Sequence, residues 1–510
     1  MKNVITIVIL LALGFNSFSQ TWNRDYGNYN IGWADIGANI EYFNDSIYML
    51  YSDQNPNAGR RLNIANLSSA DGDVIWNKTY AIDSVGMNVG AWNSADGPND
   101  SGKFVLAQHF ETADEELNEF DLGQLVVFDQ NFDTLVTSLK GDSLDRYIFH
   151  QAKVLSDNNF IAVGWTDASL SIGTTNTLVV KYNQNGEELW ASIHSVFANY
   201  YNEVLSIVEL GNGNIVTGGF TRDNIDDPEF QILTMFDSEG NYLNHRLFGD
   251  QEWHAIGWAR LDPLSDGSFI MTSTVEAENG DDYHYISKID SNLNSVWEQY
   301  HYSGTSGASL RQIKETEDGG FIGVGIWIDP TTAYRYGIFL KFDETGQILW
   351  ERKYQHANEG NFQWNHLYDV VEVLNNGGFV ACGERNETDT GQNAWVIKVD
   401  SMGCLIPGCD TLTSVTELEH IDQLNVLVYP NPASEQAFVK VPNLSFSDRL
   451  GTNFFLKLYD LQGKLIRSTS VSRFEATYIL DINGIQRGMY SLTLENETGT
   501  PLVTKKMVVE

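Results

Sequence analysis

The ten residues Lys341-Phe342-Asp343-Glu344-Thr345-Gly346-Gln347-Ile348-Leu349-Trp350 decide the fold. Taken alone they read as a hairpin, with Asp343 and Gly346 making a tight turn between two apolar stretches. Near copies recur: KYNQNGEELW ends at Trp190, MFDSEGNYLN at Asn244 and KIDSNLNSVW at Trp297. Aligned on the last residue, the series runs Trp22, Trp76, Val136, Trp190, Asn244, Trp297 and Trp350, at steps between 53 and 60 residues. A second motif keeps the same beat, at Ile47, Phe104, Phe160, Ile215, Phe269, Phe321 and Phe379, as in EDGGFIGVG and NNGGFVACG. Two motifs sharing one long period point to a propeller, a solenoid or an array.

Each period resolves into four short strands, shown by the unit around residue 380. His366 to Leu374 reads as a first strand, Gly378 to Gly383 as a second and Ala394 to Val399 as a third, and the Asp-x-x-Gly turn leads into a fourth. No part of the period reads as a helix. Four strands per unit is the pattern of a propeller blade, and solenoid repeats are usually shorter. The phase of the ends supports closure. QTWNRDYG at the start matches ILWERKYQ at Ile348 to Gln355, so the chain opens on a fourth strand without its own blade, while the last unit supplies three. The sequence therefore predicts an all-β chain with a seven-bladed propeller over 20–409, closed by its N-terminal strand, which removes open sheet edges.

Composition fits this reading. Apolar residues make up 42% of 510, and 44 glycines against 10 prolines suit many strands and tight turns. The net charge of −37 argues against nucleic acid and against an anionic membrane surface as partners. At the start, Lys2 precedes an apolar run from Val4 to Phe15, and Ser17-Phe18-Ser19 supplies small residues for a peptidase, so 1–19 is expected to be a signal peptide. No other segment reaches membrane length, so the mature chain is expected to have no transmembrane segment. Of three cysteines, Cys404 and Cys409 flank Pro407-Gly408 and are candidates for a small disulfide loop, while Cys382 reads as a buried core thiol.

After residue 409 the character changes. A polar linker over 410–422 precedes a domain over 423–510 that reads as a small Ig-like β-sandwich. From Ile421 to Glu510 the sequence holds nine basic and nine acidic residues, so the acidity belongs to the propeller. The domain carries Tyr429-Pro430-Asn431-Pro432, Tyr459-Asp460 with Gly463-Lys464, Gly488-Met489-Tyr490, and Lys505-Lys506 before a β-like tail. In these pieces and their order it resembles the type A C-terminal sorting domains of the type IX secretion system. The resemblance implies the secretion machinery and its C-terminal processing enzyme as partners, and delivery to the cell surface or the medium. The propeller repeat itself resembles the GGxIxxG … WxxKxDxxGxxxWxxxY repeats of secreted Bacteroidota proteins, which carry no single activity. The hairpin also weakly resembles the Asp-box of sialidase-like propellers, with wider spacing. The arginine cluster and Tyr/Glu pair of those enzymes are not discernible in the sequence.

Ligands of propellers usually sit over the central channel, on the side of the blade-to-blade loops. Those loops are aromatic here, and Trp33, Tyr200, Tyr201, Trp253, His254 and Trp364 are the candidate ligand rim. The loops between second and third strands are acidic, as in Asp223 to Glu229 and Glu276 to Asp282. No cofactor and no metal centre is expected. Ca²⁺ is the one candidate ion, from acidic stretches such as SADGDV that lack EF-hand spacing. Neither G-x-S-x-G nor H-E-x-x-H occurs. The sequence favours an exported binding or adhesion module for a glycan or a surface protein, with a secreted polysaccharide-acting hydrolase, its site at the channel mouth, as the alternative.

Overall fold

The computed structural model describes residues 21–26, 36–55, 59–80, 87–88, 95–113, 119–141, 145–168, 174–196, 201–222, 229–248, 253–255, 259–277, 281–304, 308–329, 331–355, 364–374, 378–387, 391–405, 426–434, 436–441, 454–460, 464–471, 476–496 and 501–509. The chain divides into two compact units, Met1–Asp410 and Thr411–Glu510. The described residues are all-β, and the first unit is propeller-like.

Its sheets follow one another along the chain. Ile36–Phe43, Ser46–Asn55, Gly59–Leu67 and Val74–Tyr80 form the first, and each strand pairs antiparallel with the next. Phe104–Ala113, Glu119–Phe128 and Thr134–Lys140 form the second, whose innermost strand is broken into Met87–Asn88 and Ala95–Asp96. Tyr147–Val154, Phe160–Thr166, Asn176–Tyr182 and Glu188–His194 follow, then Tyr201–Glu209, Ile215–Arg222, Phe230–Phe236 and Tyr242–Phe248. A nine-stranded sheet spans residues 253–354, but a single parallel pair, Gly304 with Ile328, joins its two halves. The last sheet consists of Trp364–Glu372, Phe379–Glu387 and Gly391–Val399, and its fourth strand is Trp22–Tyr26, paired Trp22 to Lys398 through Tyr26 to Ala394. Its second and third strands run beyond the sequence-based bounds because pairing continues through polar residues such as Asn386 and Gln392, while its first lies two residues earlier than the expected His366 to Leu374.

Burial explains why the repeats look as they do. Middle strands are packed on both faces between neighbouring sheets, so Phe321–Ile328 (FIGVGIWI) is almost wholly buried and reads as an apolar run. The fourth strands alternate: Val74–Tyr80, Thr134–Lys140 and Glu188–His194 share one pattern of exposed and half-buried positions. Adjacent sheets are bonded through their innermost strands. Asp96 accepts from the Val154 amide (2.8 Å), Gln151 from the Ile207 amide (2.8 Å), and Ser206 donates to the Ala259 carbonyl (2.8 Å). Asp369 accepts from the Ile40 amide (3.0 Å) and the Asn39 side chain (2.8 Å), which ties the last sheet back to the first.

The outer edge is bonded in the same stepwise manner. Asp343 accepts from the amides of Thr345 and Gln347, and Gly346 sits at φ +80°, so the turn in the opening motif is locked from within. The Trp297 ring lies against Gly346 of the next repeat, Trp190 against Gly240, Trp350 against Gly403 and Trp22 against Gly72. The side chain four residues further on then bonds the same glycine's carbonyl: His301 reaches that of Gly346 at 3.0 Å and Tyr26 that of Gly72 at 2.5 Å. Thr21 bonds the carbonyl of Leu405, so both ends of the unit meet. Cys404 is buried and disulfide-bonded, with its partner outside the described residues, and Cys382 is a free, buried thiol.

The second unit is two antiparallel sheets sharing one core: Leu427–Tyr429, Gln436–Val441 and Ala476–Asp481 in one, and Leu465–Val471, Phe454–Tyr459, Gly488–Asn496 and Pro501–Val509 in the other.

Candidate functional site

The innermost strands carry most of the unusual chemistry. At one register level, opposite the residue that follows the recurring Ile or Phe of the second motif, these strands present Glu41, Asp96, Lys153, Asp262 and Lys314. Lys153 pairs with Asp96 at 3.4 Å, Lys314 with Asp369 at 3.1 Å, and Gln312 donates to Asp262 at 2.7 Å. Dense surroundings make burial the leading influence on these groups. It raises Glu41 to about 7 and Asp262 to about 6. For Lys314 burial works against the charge, but Asp369, Glu41 and Asp262 outweigh it and raise its pKa. The Lys153–Asp96, Lys314–Asp369 and Gln312–Asp262 contacts tie the innermost strands together.

Towards the side of the loops between sheets the character reverses. Five innermost strands carry a β-bulge that lifts one residue out of the pairing: Ala38, His150, Leu205, Arg311 and Tyr368. A bulge re-aims its side chain, which breaks the alternation a strand would otherwise keep. At the last four the partner strand accommodates the bulge with a glycine: Gly164, Gly219, Gly325 or Gly383. A β-carbon on Gly383 would lie 1.8 Å from the His366 carbonyl, and one on Gly325 2.1 Å from that of Ser309.

Around Arg311 and Tyr368 a cluster assembles from four segments. The Tyr368 hydroxyl donates to Glu384 at 2.6 Å. His366 Nδ1 lies 2.8 Å from the same carboxylate oxygen, and Gln392 donates to the other. Arg335 Nη1 lies 3.5 Å from His366 Nε2, and Asn365 donates to the Arg335 carbonyl at 3.1 Å. This pattern fits a neutral imidazole with its proton on Nδ1, donating to Glu384 and accepting from Arg335. Burial keeps His366 below its ordinary pKa, consistent with that state. Burial alone would raise Glu384, but bonds from His366, Tyr368 and Gln392 outweigh it and hold the carboxyl low. Burial pushes the Tyr368 hydroxyl well above the ordinary range.

Arginines crowd this end. Burial lowers Arg311, and nearby Arg335 lowers it further; the Tyr368 and Glu384 groups act the other way. Burial brings Arg260 down to about 9, with Arg311 repelling it. His150, whose surroundings include His109 and Arg260, is pushed to about 3 by burial. Arg260, His366, Tyr368 and Glu384 are buried, while Arg311 and Arg335 keep part of their surface accessible.

The expected rim is only partly within view. Trp33 and Tyr200 lie outside the described residues. Trp253, His254 and Trp364 are placed by their backbone at the starts of Trp253–Ala255 and Trp364–Glu372, and their side chains are outside the description. Tyr201 opens its innermost strand, stacks on Phe220 (5.7 Å) and lies under the Arg222 guanidinium (5.4 Å), which pairs with Glu229 at 3.5 Å. Arg146 covers Trp165 (5.1 Å) and Lys353 covers Trp327 (3.4 Å) in the same manner. The described part of this side is thus cation over aromatic, where the sequence suggested aromatic beside acid. Arg335, His366, Tyr368 and Glu384, which the sequence did not single out, come together in the fold. The signal for them was the last glycine of GGxIxxG, which marks the bulge opposite. Among the described residues no group of three or more His, Cys, Asp or Glu is placed to hold a metal.

The motif residues of the second unit converge on its last strand. Asn431 donates to the Lys506 carbonyl at 2.8 Å and accepts from the Val508 amide at 2.8 Å, while the Ala433 amide reaches the Val508 carbonyl at 2.9 Å. Pro430 and Pro432 flank this clamp, and Tyr429 stacks on Phe438 at 5.7 Å. Tyr490 donates to the Gln486 carbonyl at 2.6 Å, in the strand that starts at Gly488. The Lys464 amide bonds Asp460 at 2.9 Å, Lys505 is half-buried, Lys506 is exposed, and Gly463 lies outside the described residues.

Residues 427–510 match the family described as the secretion system C-terminal sorting domain. The chain therefore carries a signal for export by the type IX secretion system, to the cell surface or the medium. No curated protein matches the chain. Among solved structures it is similar to a protein of unknown function from Dyadobacter fermentans DSM 18053, at 12% identity over 62% of this chain and 97% of that one, with a TM-score of 0.40. It is also similar to the β-propeller domain of the Trilobed protease from Pyrococcus furiosus, at 10% identity over 71% and 95%, with a TM-score of 0.38. A polysaccharide lyase described as an ulvan lyase is similar at 10% identity over 76% and 99%, with a TM-score of 0.43.

Proposed function

We propose that this chain is an exported seven-bladed propeller that acts outside the cell as a binding module for a glycan or a protein, taking its ligand where Arg311, Arg335, His366 and Tyr368 meet. Seven blades follow if the nine-stranded sheet counts as two, its halves sharing only the Gly304–Ile328 pair. Residues 1–19 would direct the chain across the inner membrane, and the segment over 410–422 is the expected region where the sorting domain is removed. Cys409 is the proposed partner of Cys404. Trp33, Tyr200, Tyr201, Trp253, His254 and Trp364 form the proposed outer rim of the ligand site.

The observation that carries binding over catalysis is the state of Glu384. Both its oxygens already accept hydrogen bonds, from His366, Tyr368 and Gln392, and its pKa is held low. It is therefore a poor general acid, and the raised pKa of Tyr368 makes that hydroxyl a poor nucleophile or base at neutral pH. Such a network orients groups rigidly for recognition. The hydrolase reading draws on the same Tyr368–Glu384 contact. A glycan array with turnover assays on the same sugars separates the two: binding without turnover supports the module, and turnover lost in Glu384→Gln would replace it with an enzyme. For the export route, a chain ending at Asp422 should stay inside the cells of the native host; normal appearance outside would remove the sorting role.

A further inference from the structure

The two sheets of the second unit turn different faces outward. Both give their inner faces to one core, in which Ala437, Val439 and Leu480 are buried. In a strand the residues between such positions point away from the core. On the four-stranded sheet that outward face is polar and bonded within itself: Lys457 and Tyr459 both bond Glu495, at 2.5 Å and 2.6 Å. On the three-stranded sheet the alternation breaks. Phe438 stands between Gln436 and Lys440 on the outward side, and Ile479 between Thr477 and Asp481. Phe438 pairs in register with Ile479 on one side and with Tyr429 on the other, so the three form one row across the whole sheet. Tyr429 stacks on Phe438 at 5.7 Å and 24°, while 47% of Tyr429 and 61% of Ile479 stays exposed. Exposed apolar side chains standing together, rather than singly, mark a surface that another molecule covers.

We infer that the row of Tyr429, Phe438 and Ile479 is the face by which the export machinery holds this unit, seated against an apolar groove on a protein of that machinery. The inference rests on the export reading and adds the side chains that make the contact. Two observations name the occupant. The unit matches a sorting domain, so export is the task for which its surface is read. The row is also continuous with Tyr429-Pro430-Asn431-Pro432: Tyr429 belongs to both, and Pro430 and Pro432 are exposed beside it. Asn431 fastens that segment to the last strand through the Lys506 carbonyl and the Val508 amide, which fixes where Tyr429 stands against Phe438. Aromatic side chains supply much contact area and lose few rotatable bonds when covered. A second copy of the chain fits less well, because a net charge of −37 on each copy opposes their approach.

The test follows the full chain in its native host by fractionating cells and medium. Ile479→Lys and Phe438→Lys each put a charge into the row. Each should lower the amount of protein outside the cells about tenfold, with the chain accumulating inside. Ile479→Leu keeps the apolar contact and should be exported like the parent chain. Ser470→Lys adds the same charge to the outward face of the other sheet, opposite Phe455, and should also be exported. Ile479 lies outside the core, so purified Ile479→Ser should melt like the parent chain and yet be retained in cells, which separates recognition from folding. Normal export of the row variants overturns the docking face and leaves the export route standing, which the chain ending at Asp422 tests by itself. Export of that shortened chain overturns both. Retention of Ser470→Lys together with the row variants overturns the face, since any added charge would then suffice. Sedimentation that finds the parent chain dimeric and Ile479→Lys monomeric overturns the machinery as occupant and assigns the row to a second copy.

Discussion

The ring of Trp297 occupies the space that a side chain on Gly346 would need: a β-carbon there would lie 2.6 Å from Cζ3 of the indole, at a backbone φ of +80°. Gly346→Ala therefore meets a clash as well as a strained backbone, and a loss of about 3 kcal/mol is expected in chemical denaturation. Gly267 has nearly the same backbone, φ +83°, with nothing within 4 Å. Gly267→Ala should lose only about 1 kcal/mol. Equal losses at the two sites would mean that the tryptophan contact contributes nothing.

Closure of the first unit is testable at its terminal strand. Trp22 is buried, Asn23 accepts from the indole of Trp395 at 2.6 Å, and Asp25 pairs with the buried Arg385. Trp22→Ala should cost about 3–5 kcal/mol. Deleting residues 22–26 leaves the edge of Gly391–Val399 unpaired, so light scattering should show self-association as well as a lower melting temperature. A monomer with an unchanged melting curve would count against the strand as the closing element.

Asp25 and Arg385 should behave as a buried pair. Removing the aspartate alone leaves the guanidinium enclosed, at a cost of about 3 kcal/mol or more, whereas replacing both with apolar residues should cost less. A double-mutant cycle gives the coupling directly, and strict additivity would show that they act independently.

The belt of charges on the innermost strands makes stability depend on pH at Glu41. Burial raises its pKa from 4.5 to about 7, so the folded chain holds this proton where the unfolded chain has released it. Its contribution is fully present below about 4.5 and is lost as pH rises through 7. Glu41→Gln mimics the protonated form. It should gain on the parent chain between pH 5 and pH 8, by about 3 kcal/mol at most. A pH-independent difference would dissociate Glu41 from this behaviour.

His284 and His150 act in the opposite direction. Burial lowers each from 6.5 to about 3, so the unfolded chain takes up protons first as the solution is acidified. Stability should fall by about 1.4 kcal/mol per pH unit for each histidine between these values. His284→Phe should flatten the acid limb of a plot of unfolding free energy against pH, and an unaltered slope would place the acid sensitivity elsewhere.

The frame of the first unit was legible because it is written in turns. Asp343, Gly346 and Trp350 recur where geometry admits few alternatives, and QTWNRDYG betrayed the strand that pairs with Gly391–Val399. Two copies disguise the rule: Phe132 and Leu293 occupy the glycine position at φ 58° and 68°. The arginine cluster was not legible. Its members come from six strands between residues 260 and 392, and at the bulges Arg311 and Tyr368 leave the two-residue alternation by which a strand's faces are read. The glycines opposite looked like ordinary repeat punctuation, and only their distance to the facing carbonyls reveals what they permit.

The pairing of Trp22 with Lys398 also bears on how the first unit comes to be folded. Neighbouring sheets involve residues close in sequence and can form early, one after another. The closing pair joins positions near opposite ends of the first unit, and holding such distant ends together carries the largest loop-closure entropy in the unit, about 5 kcal/mol. Until residues 391–399 are available, Trp22–Tyr26 has no partner strand, so a chain emerging from its N-terminus must keep this strand waiting through nearly the whole length of the unit. Assembly thus has a long local phase and a single late, high-contact-order step, and the rate of that step sets how long an unfastened edge stays exposed.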